Sequence, residues 1–402
     1  DVKNMNHSKT PLVSKSDSNL TDPYDSLLMI PGPTIVHQTV RKSMSNNQMG
    51  HLSSEFTENF RTLLKSLKKI FLTESGHPFI ITGSGTIAME AAVLSLLEPN
   101  DDGLILDTGY FAQRFVEMLS CYNIKSNVLS FEFGKHADPD KLKQELKNYN
   151  PTAVFITHVD TSSTIMNNIK ELVNEVNNTD ALSIVDSVCG IGGCELNFDK
   201  LGADVVLTTS QKALGSVPGA GILMLSKKAI EILENRKIKI PSYYLNLKKW
   251  KTYMDNPSTY LATPAIQVMG ALKISLEMIL DEGIENRWIR HERIAKSIRC
   301  GLEALNLDFI AEENYRANTV TGFHVPAGKS IEIQSKLKQK YKVEVASGFG
   351  KMKNNTLRVG HMANIKESES LQFLNGLENI LQDYNSLIKT GTAQSAAEQS
   401  LK

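Results

Sequence analysis

DVVLTTSQKALGSVPGAGILMLS, residues 204–226, holds two apolar runs of strand length with a lysine and a glycine-rich turn between them. Val205, Val206 and the following threonines favour a pleated, buried strand. Lys212 follows that strand directly. Solvation explains a lysine there poorly, because lysine is rarely buried without a task. A surface lysine is the plain alternative. A desolvated amine of lowered pKa is the group that forms a Schiff base with an aldehyde.

Working outward, the same texture extends from about 77 to 226. HPFIIT, GLILDT, NVLSFEF, TAVFITH, ALSIVDS, DVVLTTS and GILMLS read as strands, and stretches such as TIAMEAAVLSLL and FAQRFVEMLSCY between them carry apolar residues at helical spacing. Strands alternating with helices predict an α/β fold with a mainly parallel sheet covered on both faces. The functional loops of such a sheet gather at the carboxyl ends of its strands. Beyond Thr263-Pro264 the pattern changes to a long helical stretch over 265–305 with Gly283 as its break. A strand GFHVPAG, a charged helix at 330–341, a strand YKVEVAS and a helix at 366–388 follow. The expected division is a polar tail at 1–24, a large domain at 25–264, a smaller α+β domain at 265–388 and a loose tail at 389–402. Segment 25–45 is expected to contribute to both the pocket and the small domain.

Composition excludes several classes. Lysine plus arginine equals aspartate plus glutamate at 44 each, so no net field draws the chain to nucleic acid or anionic lipid. Nine histidines show no metal-binding spacing, and no apolar run spans a bilayer. No metal, nucleic-acid or membrane partner is expected. Four cysteines form no C-x-x-C pair, and Cys189 and Cys194 sit in or beside apolar stretches, as buried free thiols do. The first 22 residues lack the features of a signal or transit peptide. The cytoplasm is the default location.

Two further loops follow predicted strands. ITGSGTIAME places Gly83-Ser84-Gly85-Thr86 at a strand-to-helix junction, where backbone N–H groups favour a phosphate. Such a junction is often only a tight turn. It lacks the third glycine of a dinucleotide site, Ala88 standing there, and it lacks a Walker lysine. Asp186 closes ALSIVDS. It suits a helix cap, a metal ligand, or a carboxylate holding a proton on a ring nitrogen. One strand–helix–strand unit separates Asp186 from Lys212, so both reach one crevice.

In combination, PGPT at 31–34, MGH at 49–51, GSGT at 83–86, TGYFAQR at 108–114, HVDTSS at 158–163, VDSV at 185–188, TSQKALG at 209–215, YLATP at 260–264 and RVGHM at 358–362 resemble the class V, fold-type I, pyridoxal-phosphate aminotransferases of the alanine–glyoxylate and serine–pyruvate group. The resemblance covers most of the chain from 27 to 362. It implies a fold-type I transferase with a seven-stranded, mainly parallel sheet flanked by helices. It implies pyridoxal 5'-phosphate carried on Lys212, which then moves the α-proton, and Asp186 paired with the pyridinium. Phe111 would stack on the ring. Ser84, Gly85, Thr86 and Gln211 would hold the phosphate and neighbouring atoms, with Ser162 near the ring hydroxyl. Tyr260 and Thr263 would reach the phosphate of a second subunit, which implies a homodimer with shared sites. Arg358 would clamp the substrate carboxylate, with Pro31 and Gly32 closing the pocket.

Three positions depart from the family's pattern. Thr164 stands for a glycine after the HVDTSS segment, Ala112 for a glycine beside the stacking aromatic, and Thr86 for the histidine of some members. The substrates implied are a small amino acid, alanine or serine, and glyoxylate or pyruvate; no second arginine stands out for a side-chain carboxylate. The alternative is 2-aminoethylphosphonate–pyruvate transamination. Cysteine desulfuration is disfavoured, because 307–358 contains no cysteine for a mobile loop. A non-catalytic phosphate-binding α/β protein is the reading of a different class.

Overall fold

The computed structural model describes residues 26–402; the predicted tail at 1–24 lies outside the described residues. Its centre is one sheet of seven strands: β1 (His77–Thr82), β2 (Asp102–Asp107), β3 (Lys125–Ser130), β4 (Ala153–Thr157), β5 (Leu182–Asp186), β6 (Val205–Thr209) and β7 (Ala220–Leu225). Their spatial order is β1-β7-β6-β5-β4-β2-β3. Only β7 runs antiparallel to its neighbours. The inner strands β4, β5 and β6 are buried throughout, which explains their unbroken apolar runs. At the edge, β3 is mostly exposed. It begins earlier than the expected NVLSFEF and stops at Ser130, because its register follows β2 residue for residue and ends with it at Asp107.

A second core lies between the helices Ile284–Ala304, Ser330–Tyr341 and Glu367–Leu381 and a three-stranded antiparallel sheet of Val320–His324, Thr356–Gly360 and Ala346–Ser347. Three expectations are corrected here. The predicted strand YKVEVAS is two short strands: Val343–Glu344 pairs in parallel with Leu27–Leu28, whereas Ala346–Ser347 joins Thr356–Gly360. The break at Gly283 is present, with φ 83 in the left-handed region that glycine tolerates. However, the helix before it, Ile266–Glu282, buries Met269, Leu272, Leu276 and Ile279 in the large core. The second body therefore starts at Gly283 rather than at 265.

The third correction concerns 389–402. It is not a loose tail: Thr392–Leu401 is a helix whose Ala393 and Ala397 are fully buried in the second core. Two alanines one turn apart allow close backbone approach, and the buried Glu378 caps the helix start by accepting from the N–H groups of Gly391 and Ala393. Polar composition hid a stripe only two small residues wide.

Candidate active site

The site lies at the carboxyl ends of β4, β5 and β6. Asp186 ends β5 and is buried. One oxygen accepts from the Val188 N–H at 2.9 Å; its other oxygen has no partner among the described residues. Burial raises its pKa to about 6, with the Asp160 charge adding to the rise and the Val188 N–H, Arg114 and Lys212 opposing it. A cation that donated to the free oxygen would reverse the desolvation penalty.

Lys212 follows β6, and its Nζ donates to Pro31 O. Gly32 leaves the room for it. At φ +122, a Cβ on Gly32 would meet Lys212 Nζ at 2.4 Å and Cδ at 2.5 Å. Thr34 fastens this segment to the lysine loop: its N–H donates to Gln211 O at 3.2 Å and its hydroxyl to Lys212 O at 3.1 Å. Pro31, Gly32 and Lys212 are thus brought together.

The glycine loop opens the helix Gly85–Leu96, whose N-cap Ser84 makes no side-chain cap bond. Its first-turn N–H groups accordingly face the loop as an anion site. Gly85 sits in a tight place, where a Cβ would lie 3.2 Å from Thr209 and 3.3 Å from Val188. Gln211 Oε1 accepts from Thr209 Oγ1 at 2.6 Å, beside this loop.

Phe111 begins the helix Tyr110–Cys121. Buried Asp160 holds it by accepting from the Phe111 N–H at 3.1 Å. Ser162 is turned inward: its hydroxyl donates to Asp160 Oδ1 at 2.5 Å and accepts from the Tyr110 N–H at 2.9 Å. Its bonds are therefore spent on orienting the aromatic rather than on an open face. Burial raises the Asp160 pKa, against the bonds from Ser162 and Phe111. Thr164 keeps the shape that the absent glycine would give, at φ 58, a left-handed conformation that costs a β-branched residue about 1–2 kcal/mol.

Arg358, in the strand Thr356–Gly360, is buried. Its Nε donates to Ser347 O at 2.9 Å and Nη1 to Thr161 O at 2.8 Å. Burial brings its pKa down to about 10, so it stays charged at neutral pH. Nη2 has no partner among the described residues and is free for a carboxylate.

Four participants escaped the sequence reading. Tyr110 and Phe349 stack with centroids 5.0 Å apart, and Phe349 meets Phe111 edge-on at 6.0 Å. Asp160 lay unremarked within HVDTSS. The fourth is Arg114, whose guanidinium is 4.7 Å from the Phe111 ring centroid and donates to Thr86 Oγ1 at 3.4 Å. An arginine three residues after the aromatic, one turn along the same helix, was the available signal. By contrast, Tyr260 and Thr263 lie on the surface of the single chain, where the Tyr260 ring is 5.4 Å from that of His51.

The residues fit pyridoxal phosphate: an amine, a buried carboxylate with one oxygen unpartnered among the described residues, an aromatic ring and an uncapped helix start all end or follow strands of the central sheet. Among the described residues no cluster suits a metal ion, and no helix is long and apolar enough to cross a membrane.

Comparison with known proteins agrees. A family model described as aminotransferase class-V matches residues 35–369. The chain is 36% identical over 383 residues to an uncharacterized aminotransferase of Methanocaldococcus jannaschii, covering 95% of this chain and 99% of that one. It is 32% identical over 387 residues to a serine–glyoxylate aminotransferase of Arabidopsis thaliana, covering 93% and 95%. The crystal structure of ureidoglycine–glyoxylate aminotransferase from Bacillus subtilis superposes with a TM-score of 0.90 at 28% identity, over 93% of this chain and 97% of that one. With a fold-type I architecture and a family match over most of its length, the chain belongs to the class V aminotransferases, enzymes that depend on pyridoxal phosphate.

Proposed function

We propose that the enzyme moves the amino group of a small amino acid, alanine or serine, to glyoxylate or pyruvate, in ping-pong order. What supports this reading is that Asp186 ends and Lys212 follows two adjacent parallel strands, with Arg358 Nη2 unpartnered among the described residues. Bound there, pyridoxal phosphate supplies an electron sink for the Cα–H bonding pair. Asp186 holds a proton on the ring nitrogen through its unpartnered oxygen. Arg358 Nη2 orients the substrate carboxylate, and Lys212 Nζ takes the α-proton and returns it. Phe111 backs the ring, and the helix start at Ser84, Gly85 and Thr86, with Gln211 beside it, receives the phosphate.

The donor and acceptor classes rest on the serine–glyoxylate and ureidoglycine–glyoxylate relatives, which favour glyoxylate chemistry over 2-aminoethylphosphonate. A homodimer is proposed because Tyr260 and Thr263 remain on the surface of one chain, where they are free to complete the phosphate site of another. Four unpaired cysteines suit a reducing compartment, the cytoplasm.

The test is a set of single half-reactions. Alanine, serine, aspartate and 2-aminoethylphosphonate are each added to the yellow enzyme, and loss of the cofactor absorbance is timed. Glyoxylate or pyruvate is then added to restore it. Fast bleaching by alanine or serine is expected. Bleaching by the phosphonate alone overturns the substrate, and a chain that gains no absorbance with pyridoxal phosphate overturns the site.

A further inference from the structure

The backbone around Lys212 is held from outside at four consecutive carbonyls. Gln211 O and Lys212 O accept from Thr34, Ala213 O accepts from Arg287 Nη2 at 2.9 Å, and Leu214 O accepts from Ser275 Oγ at 2.5 Å. Of these donors only Arg287 carries a charge, and it is 3% exposed. Its planar fork makes three connections. Nη2 takes Ala213 O, next to the lysine. Nε donates at 3.0 Å to Gly192 O, in the loop that leaves Asp186. Nη1 pairs at 2.7 Å with Glu282.

Glu282 passes the connection on. Its other oxygen accepts from Arg290 Nε at 2.6 Å, and Arg290 donates to Ala363 O at 2.9 Å and Ile365 O at 3.2 Å. Ala363 follows the Arg358 strand by three residues and adopts φ 65. Its N–H donates at 3.0 Å to His291 Nε2, whose other ring nitrogen meets Arg287 O at 2.7 Å. Burial and the two neighbouring guanidiniums hold the His291 pKa well below its usual value. The imidazole is therefore neutral and keeps one tautomer, Nδ1 donating and Nε2 accepting.

A buried guanidinium is costly to desolvate, and packing alone does not require one. Here its rigid fork bridges the loops after β5 and β6, and its ion pair reaches the segment after Arg358. We infer that Arg287 is a positioning residue that sets the placement of Lys212 Nζ relative to the Arg358 clamp. This rests on the assignment of proton transfer to Lys212 and carboxylate binding to Arg358, but on neither substrate. A misplacement of about 1 Å between a base and its proton costs up to roughly a hundredfold in rate.

The test uses the full chain carrying Arg287→Gln, Arg287→Lys or Glu282→Gln. Amide hydrogen exchange is followed over 209–216 without cofactor, with 54–70 as the reference helix. Single-turnover bleaching is then timed with alanine and α-deuterated alanine, or with whichever donor bleaches the wild type. In Arg287→Gln, exchange over 209–216 is expected to speed at least tenfold while the reference is unchanged. Bleaching should slow roughly tenfold to a hundredfold at saturating donor, with a small change in half-saturation and a larger isotope effect. Arg287→Lys keeps the charge but reaches one carbonyl, so it should restore part of the rate. Unchanged exchange over 209–216 with an unchanged isotope effect overturns the inference, as does uniform acceleration of exchange across both segments. If Arg287→Gln does not fold, the other two variants decide by the same criteria. Failure of every donor to bleach the wild type, with the exchange result intact, counts against the proposed substrates and not against Arg287.

Discussion

The guanidinium carbon of Arg358 sits 4.3 Å from the ring centroid of Phe349, and the same ring stacks on Tyr110. The arginine proposed to face the substrate carboxylate therefore shares a wall with two aromatic rings. A cation against an aromatic face is stabilised without another charge, which leaves the outward N–H groups unspent.

Under the proposed function, that wall would bound the space beside the donor's Cα. Phe349→Leu opens it while leaving Arg358 its two carbonyl partners. The ratio of kcat/KM for leucine to that for alanine is expected to rise roughly tenfold, the scale set by changing a pocket by about one or two methylenes. Single half-reactions read this directly, and an unchanged ratio places Phe349 away from the donor side chain.

Gly32 cannot accept a side chain while Lys212 keeps its place. Gly32→Ala puts a methyl 2.4 Å from Lys212 Nζ and forces alanine to φ +122. The backbone strain costs of order 1–3 kcal/mol, and the amine must move. The variant is expected to remain folded yet lose most covalent attachment of pyridoxal phosphate at Lys212. Borohydride reduction followed by peptide mapping measures it, and wild-type labelling would show that the amine has another place to lie.

Asp186 makes stability depend on pH. Its folded pKa, about 6, lies above the usual 3.8, because burial disfavours the charge. The protonated carboxyl therefore stabilises the cofactor-free fold fully below about pH 4, and that contribution is lost as pH rises through about 6. A gap of about two units corresponds to about 3 kcal/mol. Cofactor-free Asp186→Asn lacks this titration, so its urea midpoint should gain on that of wild type between about pH 4 and about pH 8. Parallel midpoints across that range would mean that the carboxylate is not desolvated.

Glu378 tests the last helix. Its carboxylate serves the N–H groups of Gly391 and Ala393, and removing a buried acceptor costs about 1–3 kcal/mol for each donor left unpaired. Glu378→Ala should lower stability by that order, as urea unfolding would read. The exchange of 392–401 should accelerate with it. A variant as stable as wild type would mean that the helix is not docked.

Strand-length apolar runs were enough to read all seven strands of the main sheet, because its inner strands are buried throughout and leave unbroken apolar sequence; the bounds of the exposed edge strand Lys125–Ser130 differ most from those expected. Lys212 and Asp186 stand out for a related reason, a charged residue that follows or ends a buried strand, whereas Arg358 is carried by the resemblance at RVGHM alone. Arg287 was not singled out, although it shares a face with His291, Ile294, Ala295 and Ile298. A charge on the buried face of a helix was the signal, and the surrounding charges of RWIRHER diluted it. Phe349 lies in a loop among glycines and lysines, where no periodicity indicates what an aromatic will stack against. The helix at Thr392–Leu401 was missed because its buried stripe is alanine, which composition does not distinguish from a solvated tail.

Leu27–Leu28 is stitched to Val343–Glu344, and only a few residues later Thr34 grips the carbonyls of Gln211 and Lys212. The intervening chain is too short to act as slack. A rotation of the smaller body away from the sheet would tug on the backbone of the lysine itself. Breathing between the two bodies is therefore transmitted to the amine and not absorbed before it.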